Sequence, residues 1–296
     1  MTQSPHYNRS MAHDAPVVLS HVQVQPALAA RRHGRSSVAL SLDLGLSAIE
    51  VALDNEGLVL PGGLRLSWAR AEEIAASESS CFVIEAGGEL RKIQAFSALT
   101  RCHYSLYPTA GAPTMLVSGL PMHRIKGTDP QRDTLSKIKA ASLTRGRVLD
   151  TCTGLGYTAI EVAKTAGEVV TIELDPAAQE IARQNPWSRL LFEASNIRQI
   201  IGDSFEQIAQ FEDESFARII HDPPTFALAG DLYSSAFYAQ MLRVLKPGGR
   251  VFHYIGDLDS KSGGRAARGV ADRLRQAGFA RVIPRNEAFG VIAIKG

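Results

Sequence analysis

The strongest constraint on this chain is a change of texture near Lys126, after which apolar runs of a few residues alternate with helical stretches. A strand covered on both faces reads as a continuous apolar run, so this alternation points to a parallel sheet with helices packed against it. Strands are expected at 147–152, 169–174, 197–202, 217–222 and 250–255, with helices near 157–166, 177–185, 234–245 and 265–277. Two last strands, 280–285 and 290–295, are separated only by Asn286 to Phe289. A parallel crossover needs about a dozen residues or more, so this final pair must be antiparallel.

The preceding stretch, 37–125, is read as a small β-rich domain. Its short runs (Ser37 to Leu42, Ala48 to Leu53, Gly57 to Leu60, Leu64 to Trp68, Cys81 to Glu85 and Thr114 to Ser118) are punctuated by turns such as Asp54-Asn55-Glu56-Gly57 and Pro61-Gly62-Gly63. One helical insert is expected at Ala69 to Ser77. Residues 1–36 carry Arg9, Arg31, Arg32 and Arg35 against one acid, Asp14, with no sustained apolar period, and are read as a mobile tail. The Arg31-Arg32 pair resembles an export signal, but Asp43 interrupts before any apolar core forms.

Composition excludes several classes. With 45% hydrophobic and 21% charged residues the chain reads as globular. Its longest apolar candidates are broken by Asp43, Glu173 or Arg250, so no membrane partner is expected. Cys81, Cys102 and Cys152 are odd in number and lack metal-ligand spacing, which argues against a disulfide framework or a Cys-rich metal site and favours a cytoplasmic setting. A net charge of +2 is too mild to announce a nucleic-acid binder.

The strand ending at Asp150 runs through Thr151-Cys152-Thr153-Gly154-Leu155-Gly156 into a helix near Tyr157. Glycines at such a turn let backbone approach a ligand, although many strand-to-helix turns need one for steric reasons alone. Glu173 follows at the end of the next strand, where a carboxylate can accept hydrogen bonds from both hydroxyls of a ribose. A solvated loop acid is the alternative. Asp203, ending the third strand, could meet an adenine amino group or simply start a helix. Asp222-Pro223-Pro224 ends the fourth strand, either as an acceptor-positioning acid or as a strand stop.

These strand ends and the closing hairpin resemble the class I S-adenosylmethionine-dependent methyltransferases, over about residues 126–296. The stretch Leu149 to Ala159, with His221-Asp222-Pro223-Pro224, is closest to a group of uncharacterised predicted methyltransferases common in archaea. The resemblance implies a Rossmann-like α/β seven-stranded methyltransferase sheet with a terminal antiparallel hairpin, preceded here by the small β-rich domain. It implies S-adenosyl-L-methionine as cofactor, bordered by Thr151, Cys152, Gly154 and Gly156, with Asp150 holding the loop, Glu173 on the ribose and Asp203 on the adenine. Cys152 stands where the family has a glycine.

Asp222-Pro223-Pro224 is similar to the motif by which amino-group methyltransferases hold a target nitrogen. Thr225 occupies the usual aromatic position and Phe226 follows. His123, His221, Phe226 and Tyr233 are candidates for the walls of the acceptor pocket. Leu232 to Tyr238 and Leu245 to Gly249 resemble spermidine synthases, whose polycationic substrate is held by several carboxylates, and Ile219 stands where one of these would be. Aminopropyl transfer therefore ranks second, followed by a non-catalytic cofactor-binding module and, last, a nicotinamide dehydrogenase. The junction residues Arg124, Lys126, Arg132, Lys137, Lys139, Arg145 and Arg147 read either as a phosphate-binding run or as a solvated helix face. The acceptor stays open among small molecule, nucleic acid and protein, and a homodimer is allowed.

Overall fold

A computed structural model describes residues 16–142 and 146–296; the first fifteen residues of the expected tail, with Arg9 and Asp14, and Arg145 of the basic run lie outside these. The chain forms two compact units, one running up to Gln94 and including Ser105–Pro113, the other comprising Ala95–Tyr104 and Thr114–Gly296. Residues 114–125 thus belong with the second unit rather than with the small β-rich one.

In the first unit the tail expectation is corrected. Val18 and Leu19 pair antiparallel with Val83 and Phe82, and His21–Arg32 is a helix that buries Gln23, Val24, Ala27 and Ala30. Its start is fixed by a capping box in which the Gln23 side chain accepts the Ser20 backbone N–H at 3.1 Å. Small and polar residues on its buried face gave no apolar period to read. A four-stranded antiparallel meander follows (Ser37–Leu40, Ile49–Leu53, Gly57–Val59 and Arg65–Ser67). The helical insert lies at Trp68–Ala76. Leu19, Val24, Val51, Leu58, Leu66 and Ile74 close this core.

The second unit carries a seven-stranded sheet, its strands numbered here within the unit: β1 Arg147–Asp150, β2 Glu168–Glu173, β3 Ile197–Ile201, β4 Phe216–His221, β5 Leu245–Tyr254, β6 Arg281–Arg285 and β7 Gly290–Ile294. Their spatial order is β3-β2-β1-β4-β5-β7-β6. The first five run parallel, and β7 lies antiparallel between β5 and β6. Val148, Leu149, Val170, Ile172, Ile219, Val251 and Phe252 are fully buried, which is why these strands read as continuous apolar runs. Trimming one of them, Leu149→Ala, would cost about 2–5 kcal/mol.

The chain leaves β1 for β2 on one side and returns to β4 on the other, so β1 and β4 flank the point where strand order reverses. Ligands of open α/β sheets bind in the crevice outside the carboxyl ends at such a point. The helices are α1 Pro130–Ala141, α2 Tyr157–Ala163, α3 Pro176–Gln184, α4 Arg189–Glu193, α5 Ser204–Ile208, α6 Ser235–Val244 and α7 Lys261–Gln276. Among the described residues no helix is long and apolar enough to cross a membrane.

Candidate functional site

The loop after β1 is clamped from both neighbouring strands. Thr171 on β2 donates to Asp150 Oδ2 at 2.8 Å and lies 2.6 Å from the Thr153 hydroxyl. On the other side the Thr151 N–H donates to the Ile220 carbonyl at 3.0 Å. Asp150 is fully buried, and its Oδ1 makes no hydrogen bond of ordinary geometry. Burial pushes its carboxyl up to about 7, although the Thr171 hydroxyl and the Cys152 amide pull the other way. Glu173 accepts the Gly154 N–H at 2.8 Å and the Asp175 N–H at 3.0 Å. Burial raises its pKa as well, against those two amides.

Both loop glycines have left-handed backbone, with φ of +53° at Gly154 and +76° at Gly156. A side chain on Gly154 would overlap Met122, whose Cε lies 2.2 Å from the Cβ position, so the segment carrying Met122 covers this face of the loop. A side chain on Gly156 would meet Leu191, 2.6 Å from the Cβ position, so packing against α4 also calls for glycine there. Cys152 is half-buried, and burial together with Glu173 and Asp150 holds its thiol well above the usual range. Asp203 caps α5 by accepting the Phe205 N–H at 2.7 Å, the second of the two roles open to it, and remains exposed.

At the end of β4, Asp222 stands beside Asp150 at the reversal point, but with different company. Its Oδ2 lies 2.6 Å from the Lys137 ammonium of α1, which also contacts Asp133 at 2.8 Å. Asp133 in turn pairs with Arg124 at 3.2 Å. The Lys137 and Asp133 side chains are 3% and 2% exposed, whereas Asp222 retains 23%. Burial works against the Lys137 charge, but Asp222 and Asp133 outweigh it and hold its pKa above the ordinary lysine value. Burial raises Asp222, with the Lys137 ammonium opposing. The Tyr254 ring lies 4.4 Å from the ammonium.

Pro223 is buried, and the exposed Pro224 turns its carbonyl to the Tyr233 hydroxyl at 2.9 Å. Phe226 is 64% exposed and meets the Tyr233 ring edge-on at 5.6 Å. His221 does not line a pocket. It is fully buried, with Nδ1 on the Thr151 hydroxyl at 2.7 Å and Nε2 on the Leu232 carbonyl at 3.0 Å. Its register partner on β5 is His253, equally buried, with rings 4.4 Å apart. His123 stacks on Tyr157 at 5.2 Å and bonds Thr114, and burial lowers its pKa to about 3.

Sequence reasoning singled out Asp150, Glu173 and Asp222 at strand ends, counted Lys137 and Arg124 in a basic run, and gave Asp133 no role in a site. The signal that could have found them is their spacing: the buried residues of α1 are Pro130, Asp133, Thr134, Lys137, Ala140 and Ala141, a helical stripe with an acid and a base in it.

Residues 148–249 match the family described as "Methyltransferase domain". The uncharacterised protein MJ1233 of Methanocaldococcus jannaschii is 42% identical over 264 residues, covering 87% of this chain and 89% of that protein. Polyamine aminopropyltransferase 2 of Streptomyces coelicolor is 30% identical over 165 residues, 53% of this chain and 29% of that protein. A spermidine synthase crystallised with the transition-state analogue AdoDATO shares the fold, with a TM-score of 0.57 at 20% identity over 69% of this chain and 73% of the other.

Proposed function

Since the chain belongs to the family of the uncharacterised archaeal protein MJ1233 and carries a methyltransferase domain, we propose that it is an S-adenosylmethionine-dependent methyltransferase whose acceptor nitrogen is held at Asp222-Pro223-Pro224. The residues at the ends of β1 and β2 suit such a cofactor. Asp150 Oδ1 is buried without a hydrogen bond of ordinary geometry, and among the described residues neither Asp150 nor Glu173 has a cation at ion-pair distance. Glu173 would hold the ribose, Asp203 would offer its uncommitted oxygen to the adenine, and Asp150 with Thr151 and Cys152 would shape the loop. Bound there, the cofactor supplies an electron-poor methyl group on a sulfonium.

What remains for the protein is orientation, since methyl transfer is a direct displacement in which positioning supplies much of the rate. Asp222 Oδ2 is committed to Lys137, which leaves Oδ1 to accept an N–H of the acceptor and aim its lone pair. The observation that carries this reading is the pairing of Asp222 with a buried lysine. A carboxylate already neutralised is an acceptor of hydrogen bonds rather than a trap for a polycation. That same pairing weighs against aminopropyl transfer, which the partial likeness to a polyamine aminopropyltransferase keeps as the second reading. The fully buried Ile219 adds no carboxylate where a polyamine site would want one.

Calorimetric titration with S-adenosylmethionine and with its decarboxylated form separates the two. Preference for the intact cofactor is expected; preference for the decarboxylated form would replace methyl transfer with aminopropyl transfer.

A further inference from the structure

We propose that the cavity beyond the Asp222-Pro223-Pro224 turn is an anion subsite that binds a phosphate group carried by the acceptor; this rests on reading Asp222 as the acceptor-holding residue. The cavity measures roughly 760 Å³ and opens beside the turn, walled on one side by Thr225, Phe226 and Tyr233 and on the other by α7. The α7 residues lining it include Lys261, Arg265, Gly269 and Arg273, four positions each four residues apart and therefore on one helix face. Three of the four are cations. The fourth, Gly269, leaves room for the Arg273 guanidinium, whose Nη1 lies 3.4 Å from where a Cβ would stand.

A solvated basic helix face would have the same composition, but two observations set this face apart. Arg275, on another face of α7, is paired with Asp272 at 2.9 Å, whereas among the described residues no carboxylate lies at ion-pair distance from Lys261, Arg265 or Arg273. Arg273 Nε is moreover shielded from solvent beside the cavity without a hydrogen-bond partner, although the guanidinium also engages the buried Tyr238 hydroxyl. None of the lining residues is acidic. The nearby loop acids are committed elsewhere: Asp257 accepts the Asp259 N–H at 3.0 Å, and Asp259 accepts Asn286 at 2.7 Å. Lys261 and Arg265, free of carboxylate partners among the described residues, together with the unmet Arg273 Nε match the oxygens of a phosphate, which accepts several charge-assisted hydrogen bonds at once. The subsite therefore selects an acceptor with a nitrogen at one end and a phosphate at the other, and it repels a polyamine.

The test uses the full chain with inorganic pyrophosphate as probe, titrated at constant ionic strength. Wild type is expected to bind it. Lys261→Ala with Arg265→Ala, two exposed positions whose loss leaves the core intact, is expected to weaken binding at least tenfold. Arg268→Ala, off the cavity face, should leave it unchanged. Equal weakening by Arg268→Ala, or no weakening by the double variant, overturns the subsite. S-adenosylmethionine affinity is measured in parallel. Its retention in the double variant with pyrophosphate binding lost supports the subsite, while its absence in wild type would strike the methyltransferase reading and leave the anion result standing by itself. Competition by an aminoalkyl phosphate points to a small phosphorylated acceptor, and competition by short single-stranded RNA alone points to a nucleic-acid phosphate. Failure of both to compete with bound pyrophosphate rules out the acceptor role.

Discussion

The carboxylates at the ends of β1 and β2 and the carboxylate at the end of β4 sit at the same reversal of the sheet in opposite electrostatic company. Burial raises all three carboxyls, but at Asp150 and Glu173 it is opposed only by hydroxyl and amide donors. Asp222 has a buried ammonium at 2.6 Å, itself buttressed by Asp133 and Arg124. A site that leaves acids uncompensated on one side is prepared for an incoming cation and hydroxyl donors. One that compensates its acid on the other needs no cation there. Under the proposed function, the first side would take the cationic cofactor and the second an acceptor held by hydrogen bonds.

The contrast can be broken most forcefully at Lys137. Lys137→Met leaves Asp222 without a cation and Asp133 with Arg124 alone, and is expected to lower stability by about 3 kcal/mol in a denaturant titration. Adding Asp133→Asn should recover part of that loss, because the penalty lies in the uncompensated charge. A Lys137→Met protein as stable as wild type would remove the compensation that distinguishes the two sides.

The opposite sign is expected at Asp150. Between the ordinary aspartate pKa and about 7, the folded protein keeps a proton on Asp150 that the unfolded chain has released. Its contribution to stability therefore falls as pH rises through that window, is absent as a penalty below it and is constant above it. Asp150→Asn should gain on wild type by roughly 1–3 kcal/mol between pH 4 and pH 7. A stability difference independent of pH would show that the carboxyl is not held protonated.

A smaller effect concerns Cys152, whose thiol is held up by burial and by the same two acids. Its alkylation at pH 8 in the native protein should lag that of Cys102, which is also half-buried. Equal rates would argue that the loop is less anionic than its geometry implies.

The sheet and the three acids were legible because the signals are local. Apolar runs mark the strands, turn residues mark their ends, and a four-residue loop forces the last hairpin. What was not legible depends on partners distant in sequence. Lys137 meets Asp222 across 85 residues, and its helix carries the buried stripe in Asp, Thr and Lys, which hydrophobic periodicity reads as a solvated face. His221 looked like a pocket wall because its satisfaction by Thr151 and Leu232 exists only after β1 and β4 pair. The helix at His21–Arg32 hid for a related reason, since Gln23, Ala27 and Ala30 bury little apolar area. Gly156 shows the converse: a motif glycine with a packing partner, Leu191, that the motif alone does not reveal.

The most direct test of the division between the two sides is calorimetric S-adenosylmethionine binding to Glu173→Gln and Asp222→Asn, alongside wild type. Glu173→Gln should weaken binding about tenfold, near 1.4 kcal/mol, while Asp222→Asn should bind within a fewfold of wild type. Equal losses in both variants, or a loss confined to Asp222→Asn, would contradict the assignment of cofactor to the uncompensated acids and acceptor to the compensated one.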